Sequence, residues 1–344
     1  MSDPRSAHGL DAAHPTARVL IVVPTLNEER HVGEVLDGIA GFAERAPGLI
    51  VVADGGSQDA TRAIVHRKAM ANPRIRLLDN PRRLQAAAVN LAVEQFGDRM
   101  EWILRLDAHS AYPDDFADIL LVEADRTGAD SVVVSMQAEG IGPMQRIIAD
   151  AQNSRIGNGG SAHRLAGDGA WVEHGHHALI RTSAFRNVGG YDESFSHNED
   201  AELDRRMIAA GHRIWLTGLT RLTYFPRRGI RPLMRQYYNF GRGRARNLIK
   251  HDARPGLRQA VVALLAPALA LALLTPLHPL LALPLILWLL ACLAGGGAIA
   301  LQTRRPAGLV SGFVAGLMHL AWSVGFWRQW LAPRPGATTR GATA

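Results

Sequence analysis

The chain has a single cysteine, Cys292, in 344 residues. An intrachain disulfide and a cysteine-based zinc module are therefore excluded. Lysine is nearly missing: Lys68 and Lys250 are the only two, so the net charge of +7 rests on arginine. No G-x-G-x-x-G follows the first apolar run, and neither G-x-x-x-x-G-K-[ST] nor G-x-S-x-G occurs. Nicotinamide, P-loop and serine-hydrolase chemistry are set aside on that ground. Between Gln259 and Thr303 there is no charged residue at all.

That uncharged run is too long for one crossing of a bilayer, which takes about 20 residues, and long enough for two. Thr275-Pro276-Leu277-His278-Pro279 is the expected turn, because proline interrupts helices. A further uncharged run, Pro306 to Trp327, predicts a third span, with Trp322, Trp327 and Trp330 near a headgroup boundary. Three spans put Arg328, Arg334 and Arg340 on the side opposite the soluble half, against the positive-inside tendency; a re-entrant or interfacial first segment restores the parity. From Arg221 to Arg258 eleven Arg/Lys face one acid, Asp252, and Leu233, Tyr237, Tyr238 and Phe240 interleave with them. This pattern reads as a basic interfacial helix drawn to anionic lipid rather than a nucleic-acid surface, because it adjoins a membrane segment. The expected organisation is a disordered leader (1–17), a catalytic domain (18–230), a basic amphipathic interfacial segment (231–258), two to three transmembrane helices (259–330) and a disordered tail (331–344). The leader has no apolar core of the secretory kind. The expected location is the inner (cytoplasmic) membrane with the catalytic domain in the cytosol.

The soluble half alternates short apolar runs with helical periodicity. Val19–Val23, Leu49–Ala53, Ile75–Leu78 and Trp102–Leu106 read as buried strands. Helical spacing follows at Glu28–Ala43, from Asp59 onward and at Gln85–Phe96. This order predicts an α/β fold with an open, mostly parallel sheet, helices on both faces, and ligands beyond the carboxyl ends of the strands. That rule selects Pro24–Glu28, Asp54–Asp59 and Asp107–His109. Glu28 and Asp54 are of the type that accepts hydrogen bonds from a base or ribose, and Gly55 and Gly56 permit close backbone approach. Asp107 and His109 are placed two apart, on one side of an extended chain, where a carboxylate and an imidazole can share Mn²⁺, Mg²⁺ or Zn²⁺. Glu199 and Asp200 open a helical stretch, Ala201–Ala210; a carboxylate there is either a helix-dipole partner or a general base.

Together these residues resemble the family-two glycosyltransferases of GT-A (Rossmann-like nucleotide-diphospho-sugar transferase) fold, over roughly Arg18 to His251. Pro24-Thr25-Leu26-Asn27-Glu28 is similar to that family's P-x-x-N-E. Asp54-Gly55-Gly56-Ser57-Gln58-Asp59-Ala60-Thr61 is similar to its D-[DG]-G-S-x-D-x-T, and Asp107-Ala108-His109 stands at its D-x-D. Gly189-Gly190-Tyr191-Asp192-Glu193 with Asn198-Glu199-Asp200 resembles its acceptor and base segment. The D-G-G-S, D-A-H, S-H-N-E-D and Gly241–Arg246 runs look most like succinoglycan-type exopolysaccharide glucosyltransferases.

The resemblance implies a metal-dependent, inverting transfer of a hexose, with glucose the first candidate, from a UDP-sugar to a lipid-linked saccharide at a membrane. It implies nucleotide-sugar contacts from Pro24, Thr25, Asn27, Glu28, Asp54, Gly56, Asn90 and Asp107. Arg242 or Arg244 is implied at the diphosphate. A divalent cation (Mn²⁺ or Mg²⁺) is implied on Asp107 and His109, with His176, His177 and His197 as open choices for a third ligand. Asp200 is implied as the base, with Glu199 beside it. Polyprenyl phosphate as direct acceptor and a non-catalytic membrane scaffold are the alternatives. No nucleic-acid partner is expected, and the Q-x-x-R-W signature of processive synthases is absent after Gln236.

Overall fold

The structure is a computed structural model that describes residues 17–158 and 169–332. The expected leader, apart from residue 17, and the tail from 333 lie outside the described residues. The chain divides into two units, residues 1–139 with 160–225, and 140–159 with 226–344.

The first unit begins β1 (Val19–Thr25), α1 (Val32–Arg45), β2 (Gly48–Asp54), α2 (Thr61–Ala71), β3 (Ile75–Asp79), α3 (Gln85–Phe96) and β4 (Trp102–Arg105). It continues with β5 (Ser110–Ala111), α4 (Phe116–Thr127) and β6 (Ser131–Ala138). α5 (Pro143–Asn153) belongs to the second unit. The first unit then resumes with β7 (Ala170–Val172), β8 (His176–Arg181), α6 (Thr182–Asn187), α7 (Glu199–Ala209) and β9 (Ile214–Tyr224).

The strands form one sheet in the order β3-β2-β1-β4-β8-β6-β9-β5, with β7 on β9. The period-2 geometry of β1 sends alternate side chains to opposite faces. Ile21 and Val23 join Val35, Leu36 and Ile39 of α1 on one face. Leu20 and Val22 join Ala88, Val89 and Val93 of α3 on the other. Each such fully buried branched side chain stabilises the fold by about 1.5–3 kcal/mol. The result is the two-sided burial that a continuous V-L-I-V-V run implies. β1, β2, β3 and β4 are parallel, as expected, and Thr25 pairs with Asp54, which pairs with Asp79. The strand ends, and the side chains they carry, are thus level.

The other half departs from the expected parallel order. β8 runs antiparallel to both β4 and β6, and β5 and β7 are antiparallel to β9. The alternation of apolar strand and periodic helix continues through α4 and β6, but the strands after β4 do not enter the sheet in chain order. There the partners are set by tertiary packing, and the register shifts once in the β6–β8 pairing and once in the β6–β9 pairing.

The second unit continues after α5 with α8 (Ile230–Lys250), α9 (Leu257–Ala263), α10 (Leu265–Leu271), α11 (Leu283–Thr303) and α12 (Gly308–Trp330). Among the described residues three segments are long and apolar enough to cross a membrane: Leu257–Leu274, Pro279–Thr303 and Gly308–Trp330. Glycines let α8 and α12 approach backbone to backbone. A Cβ on Gly241 would strike the Trp322 carbonyl, and one on Gly325 the Tyr238 carbonyl.

Candidate active site

The loops after β1 and β2 are stitched to each other. The Asn27 amide donates to Ser57 Oγ (2.8 Å), and Gln58 N–H returns a bond to Asn27 Oδ1 (2.8 Å). Glu28 N–H reaches Thr61 Oγ1 at 2.8 Å. Asn27 sits at φ 58°, a left-handed conformation that asparagine tolerates better than most side chains, and Gly56 at φ 81° turns the second loop. Asp54 organises this rim. Its Oδ1 accepts from the Gly56 and Ser57 amides (3.1 and 2.9 Å) and from Arg62 (3.1 Å); its Oδ2 accepts from Thr25 Oγ1 (3.0 Å) and Ser57 Oγ (2.5 Å). Burial opposes its charge, but the Ser57, Arg62 and Thr25 donors outweigh that and hold the carboxyl below its ordinary range.

Pro24, Thr25, Glu28, Asp107 and His109 line one cleft, together with Asn80, Arg83 and Gln85. Asn27, Asp54 and Gly56 are not among the lining residues; they hold the loops that carry Thr25 and Glu28 through the bonds above. Asp107 and His109 lie in a turn after β4 rather than on the strand. The His109 Nδ1 is 3.3 Å from Glu28 Oε1, and Asp107 Oδ1 accepts from Gln85 Nε2 at 2.9 Å.

At the base of the site Arg105, on β4, is 5% exposed. Its guanidinium bonds Asp200 Oδ1 through one nitrogen and Asp107 Oδ1 at 3.3 Å through the other. His176, at the start of β8, faces the same two carboxylates. Its Nε2 is 3.3 Å from Asp107 Oδ2 and its Nδ1 4.0 Å from Asp200 Oδ2. Tyr191 OH adds a bond to Asp200 Oδ1 at 3.0 Å. Two carboxylates, one buried guanidinium and one imidazole thus form a closed ring. Within it burial disfavours the charge on Asp107, but Arg105, then His176 and His109, hold its pKa far below the ordinary range. Burial, then the Asp200 charge, pushes Glu199 up to about 7, with Arg105 opposing.

Asn90, expected at the nucleotide sugar, braces the chain instead. Its Nδ2 donates to Tyr191 O (2.9 Å) and Glu193 Oε1 (3.0 Å), and its Oδ1 accepts from Tyr191 N–H (2.9 Å). A Cβ on Gly190, at φ 70°, would meet that Oδ1 at 2.7 Å, so the G-G-Y turn admits no side chain there. Of the three histidines left open, His176 enters the ring, His197 is half-buried beside Ser196 Oγ, and the His177 side chain is outside the description. Arg242 and Arg244 lie on α8, in the unit that does not carry the cleft. Among the described residues no ready-made group of three or more His, Cys, Asp or Glu is arranged for a metal. Sequence reasoning passed over Arg105 and Tyr191. The signal for Arg105 was present: a lone charge inside the apolar strand Trp102-Ile103-Leu104-Arg105.

Level strand ends, a stitched polar rim and an acid pair at the base are the features of a sugar-nucleotide transferase, and the comparisons agree. The profile described as "Glycosyl transferase family 2" matches residues 20–189. The chain belongs to that family and is a glycosyltransferase. Succinoglycan biosynthesis protein ExoA of Rhizobium meliloti (strain 1021) is 50% identical over 312 residues, 91% of this chain and 94% of that protein. Dolichyl-phosphate beta-glucosyltransferase ALG5C of Trichomonas vaginalis (strain ATCC PRA-98 / G3) is 35% identical over 98 residues, 26% of this chain and 28% of that protein. Among solved structures, the mannosyltransferase PcManGT from Pyrobaculum calidifontis, in complex with GDP-Man and Mn²⁺, superposes with a TM-score of 0.55 at 20% identity, covering 87% of each chain.

Proposed function

We propose that this glycosyltransferase moves a hexose, with glucose the first candidate, from a UDP-sugar to a lipid-linked saccharide during surface-polysaccharide assembly at a membrane. The observation that carries the reading is the ring joining Asp107, at the end of the donor cleft, to Asp200, at the start of α7. Donor-side and acceptor-side groups share one rigid site, as a single displacement requires. The 50% identity to a succinoglycan biosynthesis protein supports the acceptor class, and the three apolar segments support the membrane.

Thr25 and Glu28, on a rim fixed by Asp54 and Asn27, bind the nucleoside. Asp200, paired with Arg105, takes the proton from the acceptor hydroxyl as it attacks the anomeric carbon, with Tyr191 OH fixing the carboxylate's orientation. Displacement from the opposite face inverts that carbon, and UDP departs. Asp107 and His109, a carboxylate and an imidazole on the cleft lining, would hold a divalent cation there. When bound it neutralises the leaving diphosphate.

The test is UDP release by the detergent-solubilised protein, with a panel of nucleotide sugars and membrane lipid extract as acceptor. Release that requires the extract and one donor is expected, and D200N should lower it by about 10²–10⁴-fold while sparing UDP binding. Unchanged turnover in D200N removes Asp200 as the base. The local match to a dolichyl-phosphate glucosyltransferase favours a second reading, transfer to polyprenyl phosphate itself. That acceptor is already anionic, so purified polyprenyl phosphate would then suffice and D200N would retain most of its activity.

A further inference from the structure

Glu28 is fixed through its backbone, which leaves the side chain for another task. Asn27, in the left-handed region at φ 58°, turns the chain out of β1. The Glu28 N–H then donates to Thr61 Oγ1 (2.8 Å), and its carbonyl accepts from the His31 and Val32 amides (3.0 and 2.9 Å). Thr61 is fully buried and donates to Asp59 Oδ1 through both its amide (3.0 Å) and its hydroxyl (2.5 Å). Asp59-Ala60-Thr61, at the end of the second loop, is thus a mount for Glu28 at the end of the first.

From that mount the Glu28 carboxylate faces His109. Its Oε1 lies 3.3 Å from His109 Nδ1. The imidazole also meets Tyr224 edge to face, with ring centroids 6.2 Å apart and planes at 66°. Glu28, His109 and Asp107 line the same cleft. The Glu28 and His109 side chains are 21% and 42% exposed, and an ion pair so open to water adds little to the stability of a fold. The contact has its use in the cleft instead.

A neutral imidazole offers a cation one lone pair, and what one ring nitrogen meets decides that the other carries it. A carboxylate on one nitrogen holds the proton there, orients the ring and makes the opposite nitrogen the more basic ligand. Asp107 brings an anionic oxygen to the cation site, whereas His109 brings no charge of its own. Glu28 behind His109 supplies a second negative charge without placing a second carboxylate on the metal.

We propose that Glu28 is a positioning residue for the divalent-cation site: its carboxylate accepts the Nδ1–H of His109, fixes the ring, and makes Nε2 the nitrogen that meets the cation. The inference rests on the cation reading of the proposed function. Only Oε1 is turned to His109, so the same side chain can serve the nucleoside through Oε2. Asp59 and Thr61 act in this arrangement one step removed, by setting where Glu28 stands.

Calorimetry of UDP binding across a Mn²⁺ series tests this without any turnover. The quantity read is the Mn²⁺ concentration that gives half of the full tightening of UDP. Losing the carboxylate behind a ligating histidine weakens metal affinity by about 10–100-fold, so E28Q should raise that concentration by about the same factor. In an H109D background the ligand is an oxygen with no ring proton to place. There E28Q should raise the concentration by less than about threefold, and the difference between the two backgrounds measures the coupling. Equal shifts in the two backgrounds overturn the proposal, because Glu28 would then act without His109. An E28Q protein that binds UDP more weakly at every Mn²⁺ concentration, with an unchanged midpoint, also overturns it and leaves Glu28 a nucleoside contact alone. UDP binding that ignores Mn²⁺ in the native protein overturns the proposal together with the cation reading.

Discussion

The rim of the cleft and the ring at its base use the same residue types to different ends. On the rim, Asp54 is satisfied by backbone amides, hydroxyls and the edge of Arg62, all within or next to its own loop. Its charge makes shape. In the ring, Asp107 and Asp200 share one buried guanidinium and one imidazole, drawn from strands and helices far apart in sequence. Their charge is held in readiness for chemistry. The partner, more than the carboxylate, decides which role an aspartate has.

Removing the shared cation should break this contrast most severely. R105M leaves three acidic groups facing one another in a buried site, and loss of one partner of a buried pair costs about 3–5 kcal/mol. Thermal denaturation should show a clear fall in Tm and UDP release should be abolished, with R105K recovering part of the stability. A native-like Tm for R105M would mean that His176 alone suffices to hold the acids.

Next in size is the pH response of Glu199. Its pKa is raised in the folded protein to about 7, so the native state binds more protons than the unfolded chain between the ordinary glutamate value of 4.5 and about 7. Stability from this group is therefore complete below pH 4.5 and is lost as pH rises through about 7. E199Q should flatten that part of a Tm-against-pH curve. It should also remove a rising limb near pH 7 from the activity profile, a limb that belongs to the coupled Glu199–Asp200 pair. An unchanged profile would show that Glu199 does not titrate there.

The smallest effect belongs to the rim. S57A deletes the hydroxyl that donates to Asp54 and accepts from the Asn27 amide. A loss of about 1–3 kcal/mol in stability is expected from the orphaned groups, together with about tenfold weaker UDP binding by calorimetry, corresponding to about 1.4 kcal/mol. Turnover at saturating donor should change little. A large fall in turnover would erase the distinction between rim and ring.

Much of the parallel half was legible because it rests on local pattern. The short β-branched run V-L-I-V-V ending at a proline reads as a strand buried on both faces, and Gln85–Phe96 forms the expected helix. The strand-end rule likewise singled out residues that the fold gathers around one cleft. The antiparallel half was not legible, since β8 and β9 find their places through partners rather than periodicity. The ring was hidden for the same reason. His176 was one of three equal candidates until β8 set it beside Asp107, and Asn90 had no visible partner until the Gly190 turn closed on it. Arg105 was in plain view, a charge in an apolar strand, and burial alone gives it meaning.

The bond from Arg105 to Asp200 spans 95 residues of chain. At about 5–20 residues per second, the ribosome takes on the order of 5–20 s to supply the second partner after the first. Throughout that interval Arg105 of β4 has Asp107 beside it but not yet Asp200. Completing the ring is therefore a late step of synthesis, and a chain interrupted before residue 200 leaves the buried guanidinium to Asp107 alone.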